Sequence, residues 1–240
     1  MIRLRSTLFA LVLSVTTPVF SLLALFTFPF KPVTRYRIIS LWARLTIFLA
    51  RIICGLDYRV IGAENIPDRP TVVLSKHQSA WETIAFQCIF PPQVWVLKRE
   101  LLRVPFFGWG LAMTSPIAID RGAGKEALKQ LVEQGRDRLA RGFWVVVFPE
   151  GTRMKPGSRG KYAIGGAWLA VQAGVPALPV AHNAGEFWGK NAFLKYPGTI
   201  TVSIGKPIET AGMRASELNR RVEDWIEAEM QRIPTGRSQT

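Results

Sequence analysis

Acidic side chains are absent from the first 56 residues of this 240-residue chain. The first is Asp57, and Arg3, Arg5, Lys31, Arg35, Arg37, Arg44 and Arg51 all precede it. Cysteine and histidine are scarce, two of each, and Cys54 and Cys88 have no paired spacing. That scarcity argues against a disulfide scaffold and against a metal site built from thiolates and imidazoles. Intrinsic disorder is excluded for most of the chain, because 48% hydrophobic residues bury enough apolar surface to offset the entropy of ordering. What remains in excess is positive charge: 31 Lys and Arg against 17 acids leave +14, which calls for an anionic partner. A nucleic acid is a poor fit, since the basic residues interleave with aliphatics and no binding motif is visible.

The distribution of charge points to a lipid surface instead. Ser6 to Phe30 carries no charge, and from Leu8 it reads LFALVLSVTTPVFSLLALFTFPF. As one helix its 25 residues reach roughly 37 Å at ~1.5 Å per residue, long enough to span a bilayer. Pro18 predicts a kink in it, and basic residues on both sides give no orientation by the positive-inside rule, so a hairpin dipping into one leaflet fits equally well. A cleaved signal peptide is disfavoured because no small-residue cleavage pattern follows. After a break at Pro29-Phe30-Lys31-Pro32, a second helix is expected from about Tyr36 to Cys54. There Arg37, Arg44 and Arg51 recur every seven residues and form one stripe, suited to phosphates at the membrane interface. Residues 1–55 are read as membrane-associating helices, and a chain starting after them is expected to keep its own fold.

Residues 56–240 read as an α/β domain with a mostly parallel central sheet flanked by helices. Short apolar runs at Thr71–Ser75, Val94–Leu97, Pro116–Ile119, Trp144–Phe148, Pro176–Ala181 and Ile200–Ile204 alternate with helical stretches. The helices are placed at about Ala80–Phe90, Gly124–Ala140, Ala163–Ala173 and Ala215–Ile233. Ligands in such sheets collect at the carboxyl ends of strands, so the following loops are where chemistry is sought.

Two of those loops carry it. The first is Lys76-His77-Gln78-Ser79-Ala80-Trp81-Glu82, with an imidazole and, five residues on, a carboxylate. Ser79 and Glu82 have capping-box spacing, which starts the helix at Ser79 and leaves His77 in the preceding turn, where it can meet Glu82. His77 then suits a general base and Glu82 the group that fixes its tautomer, although Glu82 as a cap alone is an equal reading. The second loop is Pro149-Glu150-Gly151-Thr152-Arg153. Arg153 offers a planar fork for phosphate, Gly151 close backbone approach and Thr152 a hydroxyl, while Glu150 suits orienting Arg153 or bonding a substrate hydroxyl. Lys98 is a further cation at a strand end, and His182 a second, weaker candidate base. No G-x-S-x-G elbow is present, and Gly122 to Ala127 is a weak match to a dinucleotide loop.

Together these blocks resemble the glycerolipid acyltransferases. The family's histidine, four residues and acid match His77 to Glu82; its FPEGTR block is complete at Phe148–Arg153; its other blocks resemble Gly108–Arg121 and Val175–Val180. The N-terminal helices are similar to those of bacterial members. Glu82 replaces the more usual aspartate, and Lys76 stands where asparagine is common. The resemblance implies transfer of an acyl group from acyl-CoA or acyl carrier protein to the 2-hydroxyl of lysophosphatidic acid, with His77 and Glu82 catalytic. Arg121 would join Arg153, Thr152 and Gly151 on the phosphate. The thioester is a substrate, so no metal or resident cofactor is expected. The implied location is the bacterial inner membrane, with the site on the cytoplasmic face. Another lyso-lipid acceptor, such as lyso-ornithine lipid, and a non-catalytic membrane-binding protein are the alternatives.

Overall fold

The computed structural model describes residues 1–236, and at Arg121 the backbone only. A seven-stranded sheet runs through the molecule in the order β1-β7-β6-β2-β5-β3-β4. In chain order the strands are β1 Leu56–Ile61, β2 Val72–Ser75, β3 Gln93–Lys98, β4 Ile117–Ile119, β5 Trp144–Val147, β6 Ala177–His182 and β7 Gly198–Ile204. Every neighbouring pair is parallel except β6 with β7, where the direction reverses. Strands β2 and β5 are buried at every position, as their unbroken Val-rich runs require of a sheet covered on both faces.

The helices α4 (Trp81–Ile89), α6 (Lys125–Ala140), α7 (Gly165–Ala173) and α9 (Ala215–Arg232) lie within a residue or two of the expected stretches. Strand β1 escaped the sequence reading because Leu56 to Ile61 mixes Asp57 and Arg59 with apolar residues; its burial pattern is that of an edge strand. Among the described residues it pairs only with β7, parallel, from Leu56 opposite Gly198 to Ile61 opposite Ser203.

The N-terminal part differs from expectation in two ways. Helix α1 runs without interruption over Ile2–Leu25, Pro18 included. The second helix begins earlier, at Pro32: proline at the first helical position loses a backbone N–H that has no partner there in any case. It divides at Ser40 into α2 (Pro32–Ile39) and α3 (Leu41–Cys54), and Gly55 closes α3 in the left-handed conformation at φ 67°.

Leu4, Leu8, Leu11, Val15, Val19 and Leu22 are exposed and fall on one stripe of α1, spaced three and four apart. The opposite side packs inward and includes two serines: Ser6 accepts a hydrogen bond from Lys195 N–H at 2.9 Å, and Ser21 is buried. An apolar outside over a partly polar inside reverses the pattern of a helix on a water-soluble protein. Arg37, Arg44 and Arg51 are all exposed, and Arg51 meets Asp57 at 3.1 Å. Phe9 and Tyr36 belong to the same buried core as the sheet; Phe9 meets Trp188 edge-on at 5.5 Å, and Tyr36 touches Trp95 and Phe143.

Candidate active site

Parallel pairing of β6, β2, β5 and β3 brings their carboxyl ends to one edge, and there the two motif loops meet. Met154 N–H donates to His77 O at 2.7 Å, and the His77 ring stacks on Phe148 with centroids 4.0 Å apart. The first loop is wound around one carboxylate oxygen. Glu82 Oε1 accepts from His77 Nδ1 at 2.8 Å, from Gln78 N–H at 2.9 Å and from Ser79 N–H at 2.8 Å. Ser79 Oγ in turn accepts from Trp81 N–H at 3.0 Å, so the capping arrangement forms although the regular helix starts at Trp81. One oxygen of Glu82 thus makes both the capping contacts and the contact with His77.

Glu82 is fully buried. Burial opposes its charged form, yet the His182 and His77 imidazoles and the converging N–H bonds hold its carboxyl below the ordinary range. An ionised Glu82 only accepts, so Nδ1 of His77 carries the proton and Nε2 is left as the basic nitrogen. His182 is buried without facing the cavity; Ala184 N–H donates to its Nδ1 at 3.3 Å, and its Nε2–H donates to Lys76 O at 2.9 Å. Burial pushes its pKa down, and the two bonds fix a neutral ring. His182 is therefore a packed structural imidazole that braces the backbone beside His77.

His77 opens on a cavity of about 740 Å³, within the range of small-ligand sites. Much of its wall is apolar, with Ile84, Trp95, Leu97, Leu111 and Leu131 among the lining residues, while Lys98, Arg153 and Lys190 supply cations. Gly151 and Thr152 line it too. Gly151 takes a left-handed φ of 66° and donates its N–H back to Phe148 O at 3.0 Å. Lys190 Nζ donates to Thr152 Oγ1 at 3.2 Å; Lys190 lies in a loop after α8 (Ala184–Phe187), where neither motif nor periodicity marked it. The side chain of Arg121 lies outside the described residues.

Glu150 is turned away from the cavity. Its Oε2 accepts from His77 N–H at 3.1 Å, and its Oε1 accepts from Gly160 N–H at 3.1 Å and from Lys76 Nζ at 2.8 Å. The expected contact of Glu150 with Arg153 or with a substrate hydroxyl does not match this placement, because a fully buried carboxylate beside a buried ammonium is already taken up. A model of the family described as Acyltransferase matches residues 57–183, a span that contains both loops. The chain belongs to the acyltransferase family. Over 235 residues the acyltransferase is 51% identical to 1-acyl-sn-glycerol-3-phosphate acyltransferase of Pseudomonas aeruginosa, covering 96% of this chain and 91% of that one. A protein of the same name from Saccharomyces cerevisiae is 31% identical over 193 residues, which are 75% of this chain and 61% of its own length. The fold matches the crystal structure of the 1-acyl-sn-glycerophosphate acyltransferase of Thermotoga maritima with a TM-score of 0.80 at 22% identity, covering 98% and 97% of the two chains.

Lys76 gives this acyltransferase a buried ionic knot. Besides Glu150, its Nζ donates to Glu227 Oε1 of α9 at 2.8 Å and to Ser158 O at 3.1 Å, and Tyr162 OH donates to the same Glu227 oxygen at 2.8 Å. Removing one partner from a buried ion set leaves uncompensated charge, at a cost of about 3–5 kcal/mol. Lys76→Met should therefore lower the midpoint of thermal unfolding by on the order of 10 °C for a chain of this size. An unchanged midpoint in a scanning calorimeter would mean that the knot contributes nothing net.

Proposed function

We propose that this acyltransferase moves a fatty acyl group from a thioester donor to the 2-hydroxyl of 1-acyl-glycerol 3-phosphate, giving phosphatidic acid. The observation that carries the reading is the His77–Glu82 pair at 2.8 Å, opening on an apolar cavity with cations at Lys98, Arg153 and Lys190. His77 Nε2 takes the proton of the acceptor hydroxyl as its oxygen attacks the thioester carbonyl; the C–S bond breaks, and the imidazolium returns the proton to the leaving thiolate. Glu82 stabilises the imidazolium. No covalent enzyme intermediate is required, because thiolate leaves readily. The acceptor phosphate sits against Arg153 and Thr152 with help from Lys98 and Lys190, and by family resemblance from Arg121. The apolar wall of the cavity suits an acyl chain. The donor is acyl-CoA or acyl carrier protein.

The exposed apolar stripe of α1 and the arginines of α2 and α3 support association with a membrane, which holds both acceptor and product. The inner membrane, with the site facing the cytoplasm, is where such donors and acceptors meet. Lys76, which stands where the family commonly has asparagine, is buried and does not line the cavity, so it offers no support for a different acceptor.

Incubating detergent-purified protein with labelled lysophosphatidic acid and acyl-CoA should give labelled phosphatidic acid. No product with either thioester, alongside product from lyso-ornithine lipid, would replace the acceptor; no product from any lyso-lipid would leave a binding protein. Arg153→Lys should raise the acceptor KM about tenfold or more with a smaller effect on kcat, since an ammonium cannot reproduce the two-pronged bond to phosphate. A change confined to the donor KM would mean that the loop holds the thioester instead.

A further inference from the structure

The segment between β3 and β4 is built inside out. It comprises a 3₁₀ helix at Arg99–Arg103, then the short α5 at Phe107–Ala112. Within α5 the two glycines face inward. A Cβ on Gly108 would stand 2.5 Å from Leu102 O, and one on Gly110 would stand 2.9 Å from Ser21 Oγ and 3.1 Å from Ser21 Cα of α1. The large side chains go the other way: Leu101, Val104, Phe106, Phe107 and Trp109 are each exposed by 41–44%. Phe106 and Trp109 lean on each other with centroids 5.2 Å apart, outside the core. Phe106 does so at φ 58°, a left-handed conformation that a bulky residue occupies only when the surroundings enforce it. The informative feature is the exposed pair of aromatics with its apolar neighbours, since a contiguous exposed apolar patch marks an interaction surface.

We infer that residues 99–109 are a second membrane contact, beside the N-terminal helices, seated in the interface of a bilayer containing anionic phospholipid. Three properties select that occupant. The patch adjoins the N-terminal helix, because α5 packs on α1 at Ser21. Tryptophan is a headgroup-level side chain, and tryptophan with phenylalanine and leucine makes up the apolar face of segments that lie in the interface. Lys98, Arg99 and Arg103 are exposed around the aromatics with only Glu100 of opposite sign, complementary to anionic headgroups. The functional consequence follows from position, since Lys98, Leu101, Phe107 and Leu111 of this stretch also line the catalytic cavity. Seating the patch in lipid turns that side of the cavity toward the bilayer, so a lyso-lipid reaches His77 without crossing water.

The inference rests on the membrane association proposed above, and two labels separate the two. In the full-length chain with Cys88→Ala (Cys54 being buried), a polarity-sensitive fluorophore is attached either through Trp109→Cys or, on α1, through Leu8→Cys. Vesicles of phosphatidylglycerol and phosphatidylethanolamine carry brominated acyl chains as quencher. Trp109 does not line the cavity, so both labelled proteins should keep their activity on detergent-dispersed lysophosphatidic acid, which controls for folding. The expected result is that both labels shift to the blue and lose most of their fluorescence to the quencher. Quenching at position 8 with a water-like, unquenched label at 109 overturns the second contact and leaves the N-terminal anchor standing. Quenching at neither position overturns both. A label at 109 that is already shielded without lipid, in a chain that gel filtration finds dimeric, assigns the patch to a second copy and also overturns the inference.

Discussion

His77→Ala is expected to lower kcat by about 10² to 10⁴, the usual worth of a general base, with little loss of stability. The fold should survive because Glu82 keeps its bonds from Gln78 N–H and Ser79 N–H when the ring is gone. The companion variant is Glu82→Gln. It retains an acceptor oxygen for those two N–H groups and for Nδ1, while the new amide nitrogen takes the place of Oε2, which is buried and has no hydrogen-bond partner among the described residues. The cap is thus preserved and the charge that stabilises the imidazolium is lost. Circular dichroism should find α4 intact in both variants while turnover on lysophosphatidic acid falls in both. A folded His77→Ala protein turning over at the wild-type rate would remove His77 from the reaction; normal turnover in Glu82→Gln would reduce Glu82 to a cap.

Deleting residues 1–55 should abolish cooperative folding, contrary to what the change in composition at residue 56 suggests. Phe9, Tyr36 and Ile47 are among the core side chains lost, each at most 8% exposed. Large buried side chains contribute roughly 1.5–3 kcal/mol each, so the loss approaches the lower bound of a domain's net stability, about 5 kcal/mol. The cut also uncovers Trp188, Trp95 and Phe143, their ring partners. Near-ultraviolet circular dichroism on a chain of residues 56–240 should find no fixed aromatic environment. A soluble fragment with a single sharp thermal transition would establish that the two parts fold independently.

What the sequence made readable was whatever repeats or runs. The Val-rich strands β2 and β5, buried on both faces, stand out as unbroken apolar stretches, and with them the loops that carry His77 and Arg153. The helices α6 and α9 have the amphipathic pattern that fixes their limits. Where a residue's role depends on what arrives from elsewhere in the chain, composition was silent. Glu150 looked like a substrate ligand because it sits in a motif loop, and only the folded chain brings Lys76 Nζ and His77 N–H onto it. Lys190 joins the cavity through a loop with no pattern of its own. The segment Phe106 to Gly110 defeats hydrophobic reasoning outright, since its glycines are inside and its aromatics outside.

The knot at Lys76 bears on the order in which the chain is made. Lys76 and Glu227 are 151 residues apart in sequence. At roughly 5–20 residues per second, translation delivers the second carboxylate about 8–30 s after the lysine. During that interval Glu150, 74 residues after the lysine, comes into place to meet the ammonium, whereas Glu227 does not. The ion set around Lys76 is therefore expected to close last, when the carboxyl-terminal helix emerges, and a nascent chain stalled before residue 227 would hold the lysine with one of its two described carboxylate partners.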